Sequence, residues 1–116
     1  MIAKGFKQGF HHVGAALRTK SGRVFSALHL EATVGRVAVC AEAIAIGMAA
    51  SAGESGFEEI VAVNRNGEVV SPCGMCRELI ADHAPSCRVI VPTPDGPKVV
   101  TVGELIPHKY TKYPPT

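Results

Sequence analysis

Two short stretches, Cys40-Ala41-Glu42 and Pro72-Cys73-Gly74-Met75-Cys76, constrain this chain more than any other feature. Thiols separated by two residues have the spacing that grips one metal ion, and a third thiol far upstream joins them only if the fold brings two distant segments together. Glu42 stands two residues after that third thiol, inside an otherwise apolar run where an unpaired carboxylate is costly. The pattern predicts a metal centre with an acid/base group beside it.

The surrounding segments suggest how the two stretches are carried. His12–Arg18 and Arg23–Leu28 read as strands of a hairpin turning through Thr19-Lys20-Ser21-Gly22. Val37–Ala52 is apolar nearly all round, the mark of a helix buried on several faces, with Cys40 and Glu42 in its first turn. In mid-helix, residues two apart point about 200° away from each other, so both serve one site only at the helix N-terminus. Unpaired backbone N–H groups and the positive end of the helix dipole also suit a thiolate there. Glu58–Asn64 is a short strand, Asn64-Arg65-Asn66-Gly67 a turn into Glu68-Val69-Val70, and a second helix runs from about Cys73 to Ala81, before Pro85. Arg88–Val91 and Lys98–Thr101 are further strands, Val102–Ile106 a helical turn, and Pro107–Thr116 a tail. About five strands and two or three helices predict an α/β domain, residues 1–116, with a mixed sheet covered on both faces.

Composition narrows the partners. With a net charge of +2 and no tryptophan among its 116 residues, the composition gives little support to the basic, often aromatic groove that holds single-stranded nucleic acid, which leaves nucleic-acid editing as a weaker third possibility. The longest apolar run, Val37–Ala50, is interrupted by Glu42 and too short to span a bilayer. Met1-Ile2-Ala3-Lys4 leads to no signal-peptide core, and four cysteines without an export signal point to a reducing, cytoplasmic setting in which thiols serve metals or catalysis.

Structural zinc sites close with four protein ligands, whereas catalytic ones keep three and leave a position for water. Cys40, Cys73 and Cys76 supply three. Cys87 reads as a small buried hydrophobe, although as a fourth thiolate it can convert the site into a structural one. A carboxylate beside a zinc-bound water takes its proton and hands it to a departing group, which is hydrolysis. An amidine-like carbon such as C4 of cytosine suits that chemistry, with ammonia leaving.

At these residues the chain resembles the cytidine deaminase superfamily, and within it the bacterial blasticidin-S deaminases. The likeness runs through His11-His12-Val13-Gly14-Ala15-Ala16-Leu17, Gly35-Arg36-Val37, Ala43-Ile44-Ala45-Ile46-Gly47 and Leu105-Ile106-Pro107-His108-Lys109-Tyr110. The resemblance implies a three-layer α/β/α fold, a homotetramer with sites completed across subunits, and Zn2+ held by Cys40, Cys73 and Cys76. It implies Glu42 as proton shuttle and Glu31 on a sugar hydroxyl. Backbone contacts to the base come from Ala41, Ser71 and Pro72, and Tyr110 reaches toward a neighbouring site.

Departures from the family pattern bear on the substrate. His11 replaces a phenylalanine, His29 the sugar-binding asparagine, and Thr33 a tyrosine of the blasticidin-S deaminases it resembles, while Ala43 stands where many cytidine deaminases carry an arginine. Three thiolates on a zinc dication leave one negative charge in excess, for which Arg77 and the two helix N-termini are the candidate counterweights; an ordinary surface charge is the alternative for Arg77. The expected activity is deamination of a cytosine nucleoside, with blasticidin S as first choice. Cytidine or deoxycytidine of pyrimidine salvage is the enzyme alternative, and a non-catalytic, zinc-stabilised binding module is the alternative from another class.

Overall fold

The structure, a computed structural model, describes residues 13–32 and 38–110. His11, His12, Thr33, Gly35, Arg36, Val37, the leading segment and the end of the tail lie outside these residues.

Strands β1 (Val13–Thr19) and β2 (Val24–Leu28) form the expected antiparallel hairpin, with Leu17 opposite Phe25 and Ala15 opposite Ala27. Gly22 adopts φ +93° in its turn and donates its N–H to the Thr19 carbonyl at 3.0 Å, a left-handed position where glycine carries no Cβ penalty. The sheet continues through β5 (Phe57–Asn64), antiparallel to β1, then β7 (Arg88–Val91), parallel to β5, and β8 (Lys98–Thr101). β6 (Val69–Val70) pairs with β5 beside this path, so the mixed sheet has six strands rather than about five. Its short partner escaped the strand count because two residues carry no readable alternation.

Helix α1 (Ala41–Ser51) begins four residues later than its apolar pattern suggests. Ahead of it, β3 (Leu30–Glu31) pairs with β4 (Ala38–Val39), so Ala38 and Val39 are extended. Pairing with a distant segment overrides local apolarity here. At its other end, Gly53 donates to Ala50 O and Glu54 N–H to Ala49 O, both at 3.0 Å, a Schellman closure with Gly53 at φ +87°. Helix α2 (Gly74–His83) begins after Cys73 and runs two residues past the expected end, and α3 (Val102–Leu105) is the anticipated single turn, closed by a Thr101–Glu104 capping box.

Alternation along the strands sorts the sheet into two faces. Leu17, Ile60, Val89 and Val91 are buried with Ala45, Ile46 and Ala49 of α1 and Ile80 of α2, and Ala15 and Ala62 form a second cluster with Ala41 at the start of α1. Alanines at 41, 45 and 49 let α1 approach the strands closely. The other face carries Ala16, Val24, Val61 and Val63 and bounds a cavity of about 520 Å³. No helix among the described residues is long and apolar enough to cross a membrane.

Ile80, fully buried, holds α2 and its cysteines to the core. Ile80→Ala is expected to destabilise the protein by about 2–5 kcal/mol, read as a lower urea midpoint, because the vacated volume cannot fully collapse.

Candidate metal centre

Both cysteine stretches reach the same point because each ends at a helix N-terminus. Cys40 is the N-cap of α1, in extended conformation at φ −65° and ψ 144°, and Cys73 is the N-cap of α2 at φ −68° and ψ 168°. Cys76 lies in the first turn of α2 and is fully buried. The three sulfurs lie within 4.8 Å of one another, and Cys40 Sγ is 3.8 Å from Cys73 Sγ. Four sulfurs arranged tetrahedrally at the usual zinc distance of about 2.3 Å are separated by about 3.8 Å. The cluster therefore has the spacing of a zinc site with three protein ligands. Cys87 does not join it: it is buried elsewhere in the core, and its Sγ donates to Arg88 O at 3.2 Å.

The three thiols differ in their electrostatics. Burial pushes Cys76 far above the ordinary thiol range, and burial likewise raises Cys40. Desolvation works against the Cys73 thiolate too, yet the N–H groups of Cys76 and Met75 and the neighbouring thiols outweigh it and bring Cys73 below its ordinary value. Both N-cap cysteines stand where free N–H groups and the helix dipole favour a thiolate.

Glu42, the second residue of α1, is only 5% exposed. Burial raises its carboxyl above the usual range, partly offset by its own backbone N–H and by the His29 imidazole. Ala41, fully buried, packs with Ala15 and Ala62, which leaves a floor of small side chains under the helix start.

The remaining expected site residues fall into three places. His29 Nε2 lies 3.5 Å from Glu31 Oε2, and the His29 backbone N–H donates to Val13 O. Ser71 and Pro72 precede Cys73, both held by Arg77: Nε donates to Pro72 O at 2.9 Å and Nη2 to Ser71 Oγ at 3.2 Å. Tyr110 is 79% exposed and lies after the last helix, beyond the three-sulfur cluster. Sequence reading missed Lys109, whose Nζ pairs with Asp82 at 2.8 Å and Glu78 at 3.3 Å on α2. The two acids stand four apart on one helix, a signal that was legible, but their distant partner was not.

Residues 2–91 match the family model described as the cytidine and deoxycytidylate deaminase zinc-binding region. The chain belongs to that family. Its metal is Zn2+, in agreement with the donor set of three thiols. Similar proteins include the blasticidin-S deaminase of Bacillus cereus, 53% identical over 92% of this chain and 82% of the relative. A cytidine deaminase of Halalkalibacterium halodurans is 34% identical over 85% of this chain and 76% of its own length. Among solved structures, the cytidine deaminase of Mycobacterium leprae superposes with a TM-score of 0.79 at 27% identity, covering 91% of this chain and 87% of that one. A hydrolytic deaminase acting on cytosine is the enzyme class these deaminases share with the chain.

Two outcomes test the centre. Cys76→Ser is expected to lower zinc affinity more than about 100-fold, beyond what loss of an outer-shell partner costs, as read by competition with a chromogenic chelator. Glu42→Gln is expected to raise the melting temperature of the chelator-stripped protein at pH 7. A carboxyl raised in the folded state contributes stability in full below its unfolded value and loses it as pH rises through the folded one. The gain therefore shrinks as pH falls toward the unfolded value and vanishes below about pH 3, where wild-type Glu42 is protonated in both states.

Proposed function

We propose that this protein hydrolytically deaminates the cytosine ring of a nucleoside-type compound, and that blasticidin S is its substrate. The buried Glu42 carboxyl at the same helix start as Cys40, beside the three-thiol cluster, carries the chemistry. The 53% identity to a blasticidin-S deaminase supports the substrate.

When bound to the three thiolates, zinc acidifies water and so supplies the nucleophile at neutral pH. Glu42 carries one proton of the attacking water to the ring nitrogen, and then carries the second, from the C4 hydroxyl so formed, to the departing amino group. Water is consumed, the C4 amino group becomes a carbonyl oxygen, and ammonia leaves. A carboxyl held above its ordinary range is suited to taking up and returning a proton near neutrality. The Ala41 and Ser71-Pro72 backbone faces the base in this reading, and the paired Glu31 and His29 meet the sugar. With histidine where plain ribose binders carry asparagine, the outer pocket favours a modified sugar.

The reading extends to a cytoplasmic homotetramer that confers resistance to the antibiotic. Leu30, Val39 and Met75 near the cluster, with Tyr110, are large apolar or aromatic side chains left exposed by the described residues, as a subunit contact requires.

Ammonia release and the ultraviolet shift on deamination, measured side by side on blasticidin S and cytidine, test the substrate. Turnover of the antibiotic with a higher kcat/KM is expected; strong cytidine turnover with none of the antibiotic points to pyrimidine salvage instead. Glu42→Gln is expected to lower kcat by about 10²–10⁴-fold while retaining zinc. An unchanged rate in that variant removes Glu42 from the chemistry, whereas zinc-loaded protein that turns over neither substrate favours a zinc-stabilised binding module.

A further inference from the structure

The chain after α3 is fastened to the ligand helix at two points. Arg77 follows Cys76 directly, and its Nη1 donates to Leu105 O at 3.0 Å, in addition to the bonds that Nε and Nη2 make to Pro72 O and Ser71 Oγ. Four residues beyond Leu105, Lys109 Nζ lies between Asp82 and Glu78 of the same helix. His108 stands between the two points at φ +57°, the one described non-glycine residue in the left-handed region, and it turns the chain there. That conformation is costly for a residue with a Cβ and persists only where the surroundings over-determine it. The Lys109 ion pairs and the Arg77–Leu105 bond supply that determination.

The acceptors chosen by Arg77 separate two roles for it. A guanidinium is a planar fork whose donors are fixed relative to one another, so three simultaneous bonds set the plane and the direction of the group. All three acceptors are oxygens: two belong to the Ser71-Pro72 loop and one to the C-terminal segment. Among the described residues, none of these three bonds of the fork reaches a sulfur. A cation whose work was to offset thiolate charge would aim its donors at the sulfurs.

We propose that Arg77 is a positioning residue that pins the Ser71-Pro72 loop to the C-terminal segment Leu105–Lys109, rather than the counter-charge of the zinc thiolates. The inference rests on the reading that this loop faces the cytosine base. Ser71 and Pro72 lie between β6 and α2, outside the sheet ladder, and Pro72 has no N–H of its own. The Arg77 fork sets where the Pro72 carbonyl points, and the Lys109 anchor holds Leu105 in reach of the fork.

Charge and geometry are separable by substitution. Arg77→Lys keeps the charge but loses the fork, and Arg77→Gln loses both. Positioning predicts that both variants raise the nucleoside KM about tenfold or more, in keeping with the steep cost of small misplacements. Zinc affinity by chelator competition then stays within a few-fold of wild type, and backbone hydrogen exchange quickens across residues 71–76 in both. Lys109→Met, which leaves the loop and the fork intact, is expected to raise KM in the same direction by less and to quicken exchange over residues 105–110.

A lysine variant equal to wild type in KM and exchange beside an impaired glutamine variant overturns the proposal. So does a loss of zinc affinity of tenfold or more in Arg77→Gln, or a Lys109→Met protein unchanged in both readouts. If wild-type protein turns over no cytosine nucleoside, the functional reading fails, while hydrogen exchange and zinc affinity still decide the role of Arg77.

Discussion

The meeting of two helix N-termini is the constraint on which this structure depends. A metal site drawn from segments far apart in the chain needs its donors presented at a fixed separation before any ion arrives, or binding must pay for ordering them. Here Cys40 and Cys73 sit at N-cap positions and Cys76 within the first turn behind one of them. The separation of the sulfurs is thus set by how α1 and α2 lie on the sheet. Alanines at 41, 45 and 49 bring α1 close to β1, and the buried Ile80 fixes α2. Core packing at some distance from the cluster is therefore part of its geometry.

Burial gives the centre its electrical character. Water is excluded from Glu42 and Cys76, which raises both groups, whereas Cys73 opens to solvent and to the free N–H groups of its helix and is lowered. One helix end thus carries a buried and an exposed thiol within a single turn. The same effect appears in Glu42: the apolar surroundings that make a carboxylate costly are what raise its proton affinity.

Much of the fold was legible because its elements are locally determined. The first hairpin, β7, β8 and the α3 turn each have alternation or turn chemistry of their own, and they stand within a residue or two of expectation. The start of α1 was not legible. Ala38 and Val39 look like the first residues of an apolar helix, but their hydrogen-bond partners Leu30 and Glu31 lie several residues upstream, and pairing of that kind leaves no mark in either segment alone. The Lys109 contacts were hidden for the same reason: a lysine in a tail and two acids on a helix acquire meaning only when the chain folds back.

The sequence by itself pointed to the donor set, to the carboxylate beside it and so to a class of chemistry, because thiols two residues apart suit one metal ion and an unpaired acid in an apolar run is costly. The tertiary structure alone decided that Cys87 stands apart from the cluster, that His29 pairs with Glu31, and that Arg77 spends its donors on oxygens of two chain segments. These are distances between residues remote in the chain, set by packing on the sheet, and no local pattern of residues encodes them.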